Sequence, residues 1–189
     1  MAELMNQKLR SSVRVFLSIV LVLCLGSCSA GGSAGLEPFQ SPDGRYGFLF
    51  PTGWTRVQVS GGPAVVFHDL INSDETLSLV VSEVSNEVDL ENIGTSDEIG
   101  QKLFDQVILS EDTSRKIELV ETKKRESSDH VFYDLEYTMS LPQQTRHELA
   151  TITLDRGYLY TFVVSTNENR WPKVQGLFER VVSSFTFLI

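Results

Sequence analysis

The chain has 189 residues, 41% hydrophobic and 22% charged, with a formal net charge of −9. That balance suits a globular domain with a proper core and argues against nucleic acid as a partner. Both cysteines lie near the N-terminus, at Cys24 and Cys28, which excludes disulfides, thiol catalysis and cysteine metal sites in the remainder.

Residues 1–27 read as a signal peptide. Lys8, Arg10 and Arg14 precede an apolar run from Val15 to Leu25, interrupted only by Ser18 and too short to span a bilayer. Leu25-Gly26-Ser27-Cys28 has the form of a bacterial lipobox, which places diacylglycerol on Cys28 before cleavage. Removing residues 1–27 takes away three bases and Glu3, so 162 residues remain and the net charge moves to −11. An acidic surface does not lie flat on anionic lipid, so the tether supplies membrane attachment. Residues 28–38 read as the acylated cysteine and a Gly-rich flexible linker, eight residues of which span roughly 16 Å. One domain, 39–189, follows.

Tyr46–Pro51 and Trp54–Val59 read as strand, turn, strand across Thr52-Gly53. Ala64–Leu70 and Thr76–Val84 repeat the pattern across Asn72-Ser73-Asp74, and Leu77, Leu79 and Val81 share one face. The period then changes. Thr95 and Glu98 form a capping box, and Ile99, Leu103, Phe104, Val107 and Ile108 recur at helical spacing. Strands are expected over Lys116–Lys124, Val131–Leu141, His147–Leu154 and Tyr158–Thr166, the last two an antiparallel hairpin around residues 155–157. A second helix starts near Pro172, with Val174, Leu177, Phe178, Val181, Val182 and Phe185 along it, and Phe185–Ile189 is a short closing strand. Strands broken by only two helices predict an α+β fold, a central antiparallel sheet packed by helices.

No phosphate loop, G-x-S-x-G, H-E-x-x-H or EF-hand pattern is present, so the chain does not read as an enzyme. The three histidines sit beside acids (His68-Asp69, Asp129-His130, His147-Glu148), but strand neighbours point to opposite faces and each pair alone is a poor chelate. His147 stands apart. The hairpin register places it opposite Ser165 or Thr166 and within reach of Glu168, where the two can pair as ions or share Zn²⁺. Arg146 and Arg170 lie nearby and make the region a positive, partner-docking spot on an acidic domain. Trp54 and Trp171 read as core aromatics.

Ser41-Pro42-Asp43-Gly44-Arg45-Tyr46-Gly47-Phe48 leading to Phe50-Pro51-Thr52-Gly53-Trp54 resembles the opening of the PsbP family of photosystem II proteins. Val66-Phe67-His68-Asp69, Leu77-Ser78-Leu79, Ile93-Gly94, Tyr133-Asp134-Leu135-Glu136-Tyr137, Arg146-His147, Gly157-Tyr158-Leu159-Tyr160 and Asn169-Arg170-Trp171 through Ser183-Ser184-Phe185 follow in order. The lipobox is similar to that of the family's cyanobacterial lipoprotein type. The resemblance implies a single α/β/α domain whose antiparallel sheet is sandwiched by helices. It also implies a lipid-anchored position on the lumenal side of the thylakoid membrane and a non-enzymatic accessory or assembly role. The partners it implies are photosystem II subunits or assembly intermediates. The acidic surface, which keeps copies apart, predicts a monomer. Plant members help retain calcium and chloride at the oxygen-evolving cluster. Metal binding and delivery (Zn²⁺, Mn²⁺ or Ca²⁺) or ion retention, with weakly held Zn²⁺ or Ca²⁺ at His147 and Glu168, is therefore the alternative to docking through Arg146, His147, Glu168 and Arg170. The acid is glutamate here, and the plant N-terminal extension has no counterpart beyond the linker.

Overall fold

The computed structural model describes residues 35–84, 89–109 and 116–188. The expected signal segment, Cys28 and the linker up to residue 34 lie outside them, as do the side chains at 103–109. Among the described residues, ten strands, three helices and a short 3₁₀ turn follow in the order β1 (Leu36–Gln40), β2 (Tyr46–Pro51), β3 (Trp54–Val57), β4 (Val65–Asp69), β5 (Thr76–Glu83), α1 (Leu90–Ile93), α2 (Ser96–Leu109), β6 (Lys116–Ser127), β7 (His130–Ser140), β8 (Thr145–Asp155), β9 (Tyr158–Asn167), the 3₁₀ turn Glu168–Arg170, α3 (Trp171–Ser183) and β10 (Thr186–Phe187). Among the described residues no helix is long and apolar enough to cross a membrane.

The strands form a seven-stranded sheet ordered β3-β4-β5-β9-β8-β7-β6 and a three-stranded sheet ordered β1-β2-β10, antiparallel throughout. Alternation along β8 explains the layering. Leu149 packs into a core with Phe132, Phe162, Trp171, Val174 and Phe178, whereas Ala150 joins Leu135, Tyr133, Leu90 and Ile99. Helix α3 therefore covers one face and α1 with α2 the other, the α+β sandwich that the sequence implies.

Three local expectations are revised. Tyr46–Pro51 and Trp54–Val57 do not pair with each other: β2 joins β1 and β10, while β3 pairs with β4. The chain changes sheets at Thr52-Gly53, where Gly53 takes φ +86°, a corner that strands passing between stacked sheets need. Pairing also begins at Leu36, before the expected boundary at Phe39, because Leu36 is buried in the core and sits opposite Pro51. The closing strand β10 lies on β2 rather than on the large sheet. The capping box forms as the spacing predicts, with the Thr95 amide donating to Glu98 Oε2 at 2.8 Å and the Glu98 amide to Thr95 Oγ1 at 3.3 Å.

The β8–β9 hairpin sets the register on which the site depends. Asp155 pairs with Tyr158, so only Arg156 and Gly157 turn the chain, both at positive φ (48° and 78°). That is the primed turn whose twist matches the strands. A Cβ at Gly157 would meet nothing closer than Val84 O at 3.9 Å, so Gly157→Ala carries backbone strain alone. It is expected to cost about 1 kcal/mol and lower the unfolding midpoint by roughly 3 °C. An unchanged midpoint in thermal unfolding would contradict the assigned turn.

Candidate functional site

The hairpin places His147 opposite Thr166, on the side covered by α3. Beyond Thr166 the strand ends at Asn167, and the 3₁₀ turn lifts Glu168 back over the sheet end. Glu168 Oε2 lies 2.7 Å from His147 Nδ1, and Glu136 Oε1 on β7 lies 2.9 Å from Nε2. The imidazole is 3% exposed. It stacks on the Trp171 indole with ring centroids 3.9 Å apart and planes 11° apart. Trp171 is held in turn by edge contact with Phe178 at 6.3 Å. A carboxylate oxygen at each ring nitrogen, with the indole beneath, fixes the ring's plane and rotation together.

Beside this clamp, Arg170 Nε pairs with Glu75 Oε1, and Glu75 is only 4% exposed. Thr166 Oγ1 donates to the same carboxylate oxygen at 3.4 Å. Asn167 Nδ2 donates to Asp74 Oδ2 at 2.7 Å, joining the end of β9 to the β4–β5 turn.

The four residues expected to form one positive spot divide between the two faces. His147, Glu168 and Arg170 share the α3 side. Arg146 projects to the opposite face, where Nε donates to Ser165 Oγ at 2.9 Å and Nη2 to Asp74 O. Ser165 Oγ then donates to Glu148 Oε1 at 2.8 Å, and the Tyr137 hydroxyl to Glu148 Oε2 at 2.6 Å. Burial first, then the charge and hydrogen bond of Glu148, push the Tyr137 phenol well above its ordinary value near 10. Arg146 is thus a tie between turns and strands with a side chain 13% exposed, while Glu168 at 46% and Arg170 at 32% meet solvent. The spot is also less positive than expected, since Glu75, Glu136 and Glu168 surround the cations.

Glu136 and Glu75 were not singled out from the sequence as site residues. Glu136 pairs with Leu149, one step along the face from His147, so counting the β7–β8 register would have found it. Glu75 lies in a turn and had no periodic signal.

The same geometry bears on a metal. The two carboxylates stand at opposite ends of one imidazole, so they cannot converge with it on one ion. A contact of 2.7 Å is a direct hydrogen bond; an ion about 2.0 Å from each atom would need the two side chains to part. Among the described residues no group of three or more His, Cys, Asp or Glu is disposed to hold a metal.

The family profile described as PsbP matches residues 34–187. CyanoP of Thermosynechococcus vestitus is 39% identical over 172 residues, covering 88% of this chain and 93% of its own. CyanoP of Synechocystis sp. PCC 6803 is 37% identical over 185 residues, covering 96% and 98%. The solution structure of the latter superposes with a TM-score of 0.71 at 39% identity, over 86% of this chain and 98% of that one.

Proposed function

This chain belongs to the PsbP family, and from that membership we propose that it is a non-enzymatic protein-binding factor of photosystem II, acting on the lumenal side of the thylakoid membrane. Lipid on Cys28 anchors it there, and it serves assembly intermediates or the finished complex as an accessory rather than as a catalyst. The observation that carries this reading is the family match over essentially the whole domain, with relatives of the same length. The lipobox at residues 25–28 supports the anchor.

For the contact itself we propose the charged end of the sheet. Of the four candidates, Glu168 and Arg170 are open enough to meet a partner, and His147 and Arg146 hold them and the adjoining turns in place. A rigid, charge-bearing surface steers and orients a protein partner without new ordering on binding. Zn²⁺ or Ca²⁺ handling at His147 and Glu168 is the weaker reading, because it requires the clamp to open first.

The test is affinity purification of the tagged full-length chain from thylakoids, with photosystem II and its assembly intermediates quantified. The wild-type chain is expected to enrich one or the other. Glu168→Gln with Arg170→Gln should lower that recovery roughly fivefold, two exposed charges being worth about 1 kcal/mol together. Unaltered recovery from a folded variant would remove these residues from the interface, and recovery of neither complex by the wild-type chain would overturn the photosystem reading.

A further inference from the structure

We propose that the β4–β5 turn, with Leu70 and Ile71 at its tip, is an apolar anchor that inserts into a socket of a folded protein partner, a socket rimmed by Lys or Arg side chains. The inference deepens the docking reading above and rests on it.

Among the described residues Ile71 is the most exposed large hydrophobic side chain at 90%, and Leu70 is next at 66%. A single exposed aliphatic residue is ordinary. Two adjacent ones on a turn locked into one shape are a different matter. Asp69 Oδ1 accepts the Ile71 amide at 2.9 Å, and Oδ2 accepts Asn72 Nδ2 at 2.7 Å. The Glu75 amide donates to Asn72 O at 2.7 Å and the Asp69 amide to Glu75 O at 3.1 Å. These bonds fix the shape of the turn, and the aliphatic pair is what the tip presents. Binding such a tip costs little ordering, the condition under which a small apolar contact becomes an anchor.

The rim decides the kind of partner. Asp69 and Asp74 flank the tip. Burial acts to raise Asp69, but the Asn72 side chain, the amides of Ile71 and Asn72 and the charge of Arg170 outweigh it and hold the carboxyl below its ordinary range. Asp74 is joined to Asn167. An aliphatic pair bounded by carboxylates, on a chain of net charge −9, complements a socket with a basic rim. The same charge opposes an anionic bilayer and a second copy of the chain. The turn is also tied to the proposed contact region, through Asp74 to Asn167 and Arg146 and through Glu75 to Arg170.

The experiment places a photo-crosslinking p-benzoylphenylalanine at position 71 of the full-length chain, and at Val120 as the control, in native thylakoids. Val120 is 54% exposed on β6. The expected adduct from position 71 is a protein segment of apolar and basic residues that position 120 does not label. Leu70→Ser/Ile71→Ser is expected to cut recovery of that protein at least about tenfold with the unfolding midpoint unchanged. An adduct to lipid, to a second copy, or the same adduct from both positions would overturn the proposal, and so would undiminished recovery by the double variant. The outcome is separable from the photosystem reading: a basic-rimmed protein outside photosystem II would refute that reading and leave the anchor standing.

Discussion

Replacing His147 by alanine is expected to lower the unfolding free energy by about 3 kcal/mol. The ring joins Glu136 and Glu168 and lies flat on Trp171. Its loss strands the Glu136 carboxylate, 16% exposed, beside an indole that has lost its stacking partner. Removing one partner of a buried hydrogen bond costs more than the bond contributes, because the carboxylate that remains is left desolvated and unpaired. The two carboxylates should not respond alike. Glu168→Gln acts on a group 46% exposed and is expected to cost less than about 1 kcal/mol, whereas Glu136→Gln should cost more. Urea unfolding of the three variants checks the order. A His147→Ala loss no larger than that of Glu168→Gln would show that the ring is not the keystone of this end of the sheet.

The second large effect is expected at Phe178→Ala, at about 4 kcal/mol, or roughly a 10 °C fall in the unfolding midpoint. Phe178 is fully buried on α3. It meets Trp54 edge-on at 5.9 Å and Trp171 at 6.3 Å, so its loss opens a cavity between α3 and the sheet and loosens the indole beneath His147. Phe178→Leu, which keeps most of the volume, should cost far less. Gln175→Ala on the exposed side of α3 should stay within about 0.5 kcal/mol. Thermal unfolding followed by circular dichroism gives all three. Equal losses for the alanine and leucine variants at 178 would argue against a cavity effect.

The helix that carries Phe178 is legible in the sequence, because Val174, Phe178, Val181 and Val182 repeat at helical spacing after Pro172, and all four are buried. The hairpin around residues 155–157 was legible for a related reason. A two-residue turn leaves one register open to the strands that flank it, and that register set His147 opposite Thr166 and within reach of Glu168. Features set by a few neighbouring residues are legible in the sequence. The expectation that Arg146 joins His147 in one spot failed on the same rule that supported the hairpin, since adjacent strand residues face opposite ways. Glu136 and Glu75 escaped notice because each reaches the site from another strand or turn.

Taken alone, the sequence determined the kind of protein this is: an acidic α+β domain of the PsbP family, with its strands and two longer helices in order and a His–Glu pair set by one tight turn. The family shows in motifs that follow one another in order along the chain; the elements and the His–Glu pair are consequences of period and turn chemistry, which act over a few residues. The tertiary structure alone decided that β2 and β3 belong to different sheets, that Arg146 and His147 work on opposite faces, and that a second carboxylate closes the imidazole clamp. It also decided which charges meet solvent and that Leu70 and Ile71 stand clear of the core. A strand's alternation specifies which residues share a face; which strand lies beside it, and what covers that face, is settled only when distant segments compete for the same buried surface.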